Sequence, residues 1–135
     1  GADGYYGYFE YEDLIEEVKS ELVESADMAL AAGVKNKNIL LDPGIGFGKT
    51  APQNLRLLRQ LSEIVKLGFP ILLGTSRKGF IGQYLGGLPV DERVEGTVAT
   101  CVSGIVSGVD ILRVHDVKAV SRAARITDVI HRMNL

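Results

Sequence analysis

The sequence predicts an α/β protein in which parallel strands are covered by helices. Three observations carry that prediction. Segments of helical period alternate with short apolar runs that begin near residues 38, 70 and 110. Gly33, Gly68 and Gly108 stand where the helical periods stop, the place a glycine takes as a helix cap. Each apolar run ends in charged or hydroxyl side chains. Alternation of this kind implies βα units and a parallel sheet. Both an open doubly wound sheet and a (β/α)8 barrel fit, and both place ligands at the carboxyl ends of their strands.

Each element has its own justification. Residues 1–9, GADGYYGYF, are rich in Gly and Tyr without a period and read as a loop or frayed end, leaving residues 10–135 as the domain. From Glu10 to Ala32, Leu14, Val18, Leu22, Ala26, Ala29 and Leu30 recur at helical spacing. Asn38 to Asp42 is a short strand by length and composition. Gln53 to Leu67 is a helix through Leu55, Leu58, Leu61 and Val65. Phe69 to Gly74 is the next strand, with Pro70 tolerated only near its start. Residues 79–87 form a glycine-rich link. Asp91 to Ser107 is a helix through Val94, Val98, Val102 and Ile105, and Asp110 to Val114 is a third strand. Asp116 is placed to cap a last helix running to about Arg132, with Val120, Ala124, Thr127 and Ile130 on one face. The count is three strands and about four helices.

Bulk properties narrow the function classes. With 135 residues the chain suits one domain. A net charge of −2 implies no general polyanion surface, so no nucleic-acid partner is expected and any anion site must be local. No apolar run approaches the roughly 20 residues of a membrane span, and nothing reads as a secretion signal. The single Cys101 lies among Val98, Val102 and Ile105, a core thiol without an internal disulfide partner, so a reducing cytoplasm is the expected compartment. One Cys and two His at unrelated spacing leave no zinc site and no cysteine nucleophile. His131 falls on the last helix as a surface residue.

The stretch LDPGIGFGKT, residues 41–50, looks like a phosphate loop but is not one. A Walker A loop needs glycine five places before Gly48, where Pro43 stands. A dinucleotide fingerprint starting at Gly44 and Gly46 needs glycine at 49, where Lys49 stands. What remains is a strand ending in the carboxylate of Asp42, then a loop with little side chain. That suits a flat ligand held against backbone; the plain alternative is a tight strand-to-helix turn. The second strand runs into GTSRKGF, residues 74–80, and the third is DILRVHD, residues 110–116. Side chains two apart share a face of an extended chain, so Ser76 pairs with Lys78, and Arg113 with His115. An Arg beside a His makes a phosphate clamp; the competing reading is surface charge or a satisfied core histidine. Read from residues alone, this is a site for a small, planar, nitrogen-rich ligand bearing phosphate.

The segments LDPGIGFGKT, GTSRKGFIG and RVHDV, in this order and spacing, closely resemble the carboxyl-terminal half of the dihydropteroate synthase family, and FEYEDLIEEVKSEL resembles that family's helix after its fifth strand. The resemblance implies a (β/α)8 barrel of which this chain holds the last three strands. It implies condensation of 6-hydroxymethyl-7,8-dihydropterin diphosphate with p-aminobenzoate in folate synthesis, in a cytoplasmic enzyme that sulfonamides target. Asp42, Lys78 and Arg113 are then the catalytic residues. Asp42 hydrogen-bonds the guanidine-like edge of the pterin and Lys78 its other side. Arg113 stacks on the ring and, with His115, holds the diphosphate. Phe47 and Ser76 help form the p-aminobenzoate pocket, the backbone of Gly46 lines the pterin slot, and Arg77 joins the substrate-binding set. Mg2+ is implied as cofactor, with its protein ligand, an Asn, outside this chain and no metal ligand within it. A homodimer is implied for the full-length enzyme. The family's amino-terminal half is absent, GADGYYGY does not resemble its loop, and the isolated chain is expected to be weakly active or inactive. A pterin-binding methyltransferase module and a non-catalytic pterin-binding fragment are the competing functions.

Overall fold

The computed structural model describes residues 13–135; the proposed loop at 1–9 and the first turn of the Glu10 helix lie outside them. The elements follow in the order α1 (Leu14–Ala31), α2 (Ala51–Arg59), α3 (Leu61–Val65), β1 (Leu72–Leu73), α4 (Gly79–Tyr84), α5 (Val94–Ser107), β2 (Ile111–Leu112) and α6 (Val117–His131). β1 and β2 pair in parallel, Leu72 opposite Ile111 and Leu73 opposite Leu112. Leu41 joins their other flank through a parallel bridge to Ile71. The expected parallel α/β arrangement is present.

The counts differ from expectation. Of the strand placed at 38–42, only Leu41 pairs, its N–H on Pro70 O and its carbonyl accepting from Leu72 N; Asn36–Asn38 form a 3-10 turn instead. The helix placed at 53–67 is two helices, because Gln60 (φ −110°, ψ 19°) leaves helical geometry between α2 and α3. The link at 79–87 contains α4. Helix α5 starts at Val94, after a 3-10 turn over Val90–Glu92. Six α-helices therefore stand among the described residues where about four were expected.

Local chemistry sets the ends of these elements. The Asp13 carboxylate accepts the Glu16 N–H at 3.2 Å to start α1. Thr50 and Gln53 form a reciprocal capping box at α2, with Pro52 in its first turn. Gly108, at φ 108°, ends α5 in a left-handed cap: its N–H reaches Ile105 O, and Val109 N–H reaches Gly104 O. The Arg132 guanidinium then covers the carbonyls of Ile105 and Val109, at 2.6 and 2.8 Å.

The core lies between the sheet and α1, α2 and α3, where Leu57, Leu61, Ile64, Ile71 and Leu73 are fully buried. Cys101 is buried as expected, against Thr75, and burial raises its thiol pKa. His131 is exposed, also as expected. The inward stripe of α5 is Thr97, Cys101, Gly104 and Ile105 rather than one through Val98 and Val102. Leu30, Leu55 and Ile130, assigned to inward faces, are exposed. Gly104 admits the sheet: a Cβ there would stand 2.4 Å from Leu73 Cδ2, a fully buried side chain with little room to retreat.

Gly104→Ala is therefore expected to lower unfolding free energy by about 1–3 kcal/mol through overpacking. Thr50→Ala, which removes only the capping box, is expected to cost about 1 kcal/mol. Urea titrations followed by circular dichroism check both.

Candidate active site

Parallel pairing delivers three chain crossings to one rim. Leu41 leads into Asp42. β1 leads through Gly74 and Thr75 into Ser76, Arg77 and Lys78. β2 leads into Arg113, whose N–H is held by Leu73 O at 3.0 Å, and on to His115. Asp42, Phe47, Ser76, Lys78, Arg113 and His115 line one hollow of about 420 Å³. Gly46, Phe47 and Lys78 also line an adjoining hollow of about 310 Å³. Arg77 is among the lining residues of neither.

The Asp42 loop is held by backbone and by a lysine. Asp42 Oδ1 accepts the Gly44 N–H at 2.9 Å, an Asx turn that orients the carboxylate. Lys49 Nζ donates to the carbonyls of Gly44 (2.9 Å) and Phe47 (3.0 Å), fastening both ends of the turn. The Gly46 N–H is received by Asn54 Oδ1 at 2.8 Å. Gly46 has φ 89°, and a Cβ there would lie 2.8 Å from Lys78 Cδ. Glycine is needed at 46 on both counts. Lys78 passes over it, donates to the Ile45 carbonyl and stands 4.8 Å from the Phe47 ring centroid, a cation–π distance. Phe47 itself is 64% exposed and projects at the rim.

The Ser76–Lys78 turn is held from behind. Arg77 adopts φ 58°, the one left-handed non-glycine among the described residues. Such a conformation persists only when its surroundings over-determine it, and here they do. The Arg77 N–H donates to Thr97 Oγ1 (3.0 Å), and its carbonyl accepts from Arg93 Nη1 (2.8 Å). Its guanidinium forks onto Asp116 at 2.9 and 3.1 Å. Asp116 occupies the N-cap position of α6, but its carboxylate makes no cap hydrogen bond, contrary to the expected role. A bidentate guanidinium outcompetes backbone N–H groups for the same oxygens.

The electrostatics favour an anion. Burial pushes the Lys78 pKa down; Asp42 opposes that shift, while Lys49 and Arg113 add to it. Burial likewise lowers Lys49, against the pull of Glu21 and Asp42. Around Lys78 the cations Lys49 and Arg113 stand with the single carboxylate of Asp42, while Glu21 acts on Lys49. Lys49, Asn54, Arg93 and Thr97 were not singled out from the sequence. Lys49 lies inside the glycine stretch, where the sequence gives no sign that its ammonium fastens the loop. Asn54, on the buried side of α2 and 3% exposed, gave the one usable signal: a polar residue on a core-facing helical position.

A family model described as pterin binding enzyme matches residues 4–115. The chain belongs to the pterin-binding enzyme family. This member is 56% identical over 124 residues to a dihydropteroate synthase of Clostridium beijerinckii, covering 91% of this chain and 46% of that protein. It is 52% identical over 118 residues to that of Bacillus subtilis, covering 87% of this chain and 41% of the relative. The fold superposes on a dihydropteroate synthase of Clostridium difficile, crystallised in the presence of pteroic acid, with TM-score 0.90 and 50% identity over 94% of this chain and 48% of that one. A Thermus thermophilus dihydropteroate synthase in complex with 4-aminobenzoate gives TM-score 0.84 and 45% identity, over 90% of this chain and 46% of that one. The chain thus spans less than half the length of each of these four relatives.

The Arg77–Asp116 pair predicts a pH dependence for this family member. Hydrogen bonding from Arg77 holds the Asp116 carboxyl below its ordinary value. A depressed carboxyl stabilises the fold above the unfolded value, about 3.9, and that stabilisation is lost as pH falls through the folded one. The stability difference between the parent and Asp116→Asn should be present in full at pH 7 and smaller at pH 3, below the unfolded value. Urea unfolding at the two pH values measures it.

Proposed function

We propose that this chain is the carboxyl-terminal part of a dihydropteroate synthase, supplying most of the pterin and diphosphate contacts of a (β/α)8 barrel whose other strands lie outside it. The observation that carries the reading is the single hollow lined by Asp42, Lys78, Arg113 and His115. The synthases crystallised with pteroic acid and with 4-aminobenzoate support it.

In the proposed reaction the amine nitrogen of p-aminobenzoate attacks the methylene carbon of 6-hydroxymethyl-7,8-dihydropterin diphosphate. The carbon–oxygen bond breaks, pyrophosphate leaves with the electron pair, and the amine proton passes to solvent. Positive charge develops on the pterin methylene as the anion departs. Asp42, with one oxygen already oriented by Gly44 N–H, accepts from the guanidine-like edge of the pterin and favours its cationic form. Lys78 donates from the other side of the ring. Arg113 covers the ring face and, with His115, draws charge toward the leaving diphosphate, which is electrostatic stabilisation where charge appears. Phe47 and Ser76 flank the p-aminobenzoate side, and Gly46 lies along the pterin edge. Arg77, turned toward Asp116, supports the turn rather than the substrates. An aromatic amine is neutral at pH 7, so orientation rather than a strong base governs the attack.

Magnesium is implied only by the resemblance. Among the described residues no three His, Cys, Asp or Glu side chains gather to hold a metal. The described residues do not form a protein-held Mg2+ site. The cytoplasmic compartment, the sulfonamide target and the homodimer belong to the same proposal for the full-length enzyme. Among the described residues no helix is long and apolar enough to cross a membrane.

Asp42→Asn is expected to weaken binding of 6-hydroxymethyl-7,8-dihydropterin roughly 10- to 100-fold, the loss of a charged hydrogen-bond partner. Calorimetry on the longer protein containing this segment measures it, with p-aminobenzoate binding as a control that should change little. Unaltered pterin affinity and turnover would remove Asp42 from the mechanism. The 135-residue chain alone is expected to give little or no dihydropteroate in a steady-state assay. Turnover equal to that of a full barrel would overturn the partial-barrel reading.

A further inference from the structure

We infer that Ser76 is a positioning residue that fixes His115 in the tautomer with its hydrogen on Nε2, so that the ring always offers a donor to an anion in the hollow. The inference rests on the proposal that His115 receives a phosphate group, but its first test does not.

The argument is a count of hydrogens. Ser76 Oγ lies 3.0 Å from the backbone N–H of His115 and 2.7 Å from Nδ1 of the same residue. The backbone N–H can only donate, so it occupies one lone pair of the hydroxyl oxygen. Two arrangements remain at Nδ1. If Nδ1 carried a hydrogen, the oxygen would accept twice, and the hydroxyl hydrogen would have to find a third partner. Ser76 is 9% exposed and makes no other hydrogen bond among the described residues. A buried hydroxyl hydrogen left without an acceptor costs about 1–3 kcal/mol. If Nδ1 is bare, the hydroxyl donates to it, the oxygen accepts from the backbone, and every group is matched. The neutral ring then carries its hydrogen on Nε2, on the far side from Ser76. Protonation would add a hydrogen at Nδ1, stranding the hydroxyl hydrogen by the same count, but would still leave Nε2 a donor, so the outward nitrogen donates in both charge states. The opposite tautomer would present a lone pair to the anion instead, beside Arg113 on the wall of the same hollow.

The device is built by the fold. Ser76 follows β1 and His115 follows β2, 39 positions apart. The parallel register of Leu73 with Leu112 carries both chains to the same height. The left-handed Arg77, clamped by Thr97, Arg93 and Asp116, fixes where β1 ends and therefore where the Ser76 hydroxyl stands. Asp116, next to His115, is drawn to Arg77 and is not the group that sets the ring.

Long-range proton–nitrogen NMR reads the tautomer directly. The chain has two histidines, so His131→Gln, a change on the exposed end of α6, leaves a single imidazole to observe. The expected spectrum of the neutral ring shows Nε2 protonated and Nδ1 bare. Ser76→Ala should replace it by a mixture of tautomers and weaken pyrophosphate binding about 3- to 10-fold, the value of one neutral hydrogen bond. Ser76→Thr, which keeps the hydroxyl, should restore the spectrum. A hydrogen on Nδ1 in the parent, or a tautomer unmoved by Ser76→Ala, overturns the inference and leaves the synthase proposal standing. The predicted tautomer with no response of the His115 resonances to pyrophosphate supports the role of Ser76 and removes His115 from the anion site.

Discussion

Parallel register across Leu41, β1 and β2 is the constraint on which the site depends. Residue 71 of the central run pairs with Leu41 on one flank, while residues 72 and 73 pair with Ile111 and Leu112 on the other. Parallel strands in register end at one level, so the residues just beyond them emerge on one rim. Asp42 is one residue past its bridge, Ser76 three past β1, and Arg113 one past β2. A slip of one residue in the β1–β2 pairing would turn Arg113 and His115 to the opposite face, and a slip at the Leu41 bridge would do the same to Asp42. The fully buried Ile71 and Leu73, and the Asp110 carboxylate that receives the Ile71 N–H at 3.1 Å, hold the register in place.

A second tier of residues converts that register into a usable surface. Most of the groups that meet solvent at the rim are exposed: Asp42, Phe47, Arg113 and His115. The groups that aim them are buried or half-buried: Lys49, Asn54, Ser76, Arg93 and Thr97. Lys49 and Arg93 are both cations spent on backbone carbonyls. A lysine taken out of water to hold a glycine loop is costly unless its hydrogens are used, and Lys49 uses two on that loop. Placement of Lys49 and Lys78 so close to Asp42 also tilts the local field toward positive. The same contacts therefore fix geometry and set charge.

The parts of this design legible in the sequence were those with a local signature. Gly33 and Gly108 announced the ends of α1 and α5 because left-handed caps need glycine. Alternation of apolar runs with helical periods announced parallel pairing. Arg113 and His115 stood out because an Arg inside so apolar a strand needs a reason. Signals that depend on tertiary contact were silent. Helix α4 was hidden by Gly79 and Gly82, poor helix formers. Gly82 is there because the Arg93 guanidinium passes 2.7 Å from where its Cβ would be. Helix α5 is apolar nearly all round, so its period could not tell which stripe faces inward, and the sheet chose the one with Gly104. Asp116 had the local signature of a cap, and a guanidinium from 39 positions away took its oxygens.

Recognition and closure are separable in this fold. Within the described residues the sheet pairs inward from both flanks, leaving Leu41 and β2 each with one unpaired edge. Leu40 and Ile111, on those two edge runs, are exposed. Apolar side chains on open parallel edges call for neighbouring strands or covering helices, and the relatives have more than twice the length over which to supply them. The hollow itself asks for none of this. Its walls are joined by hydrogen bonds that begin and end inside this chain: Asp42 to Gly44, Ser76 to His115, Arg77 to Thr97 and Asp116, Lys78 to Ile45. Among the described residues these hydrogen bonds shape the rim without using the open edges of the sheet. The shape of the hollow is therefore set by these residues, whatever covers the open edges of the sheet.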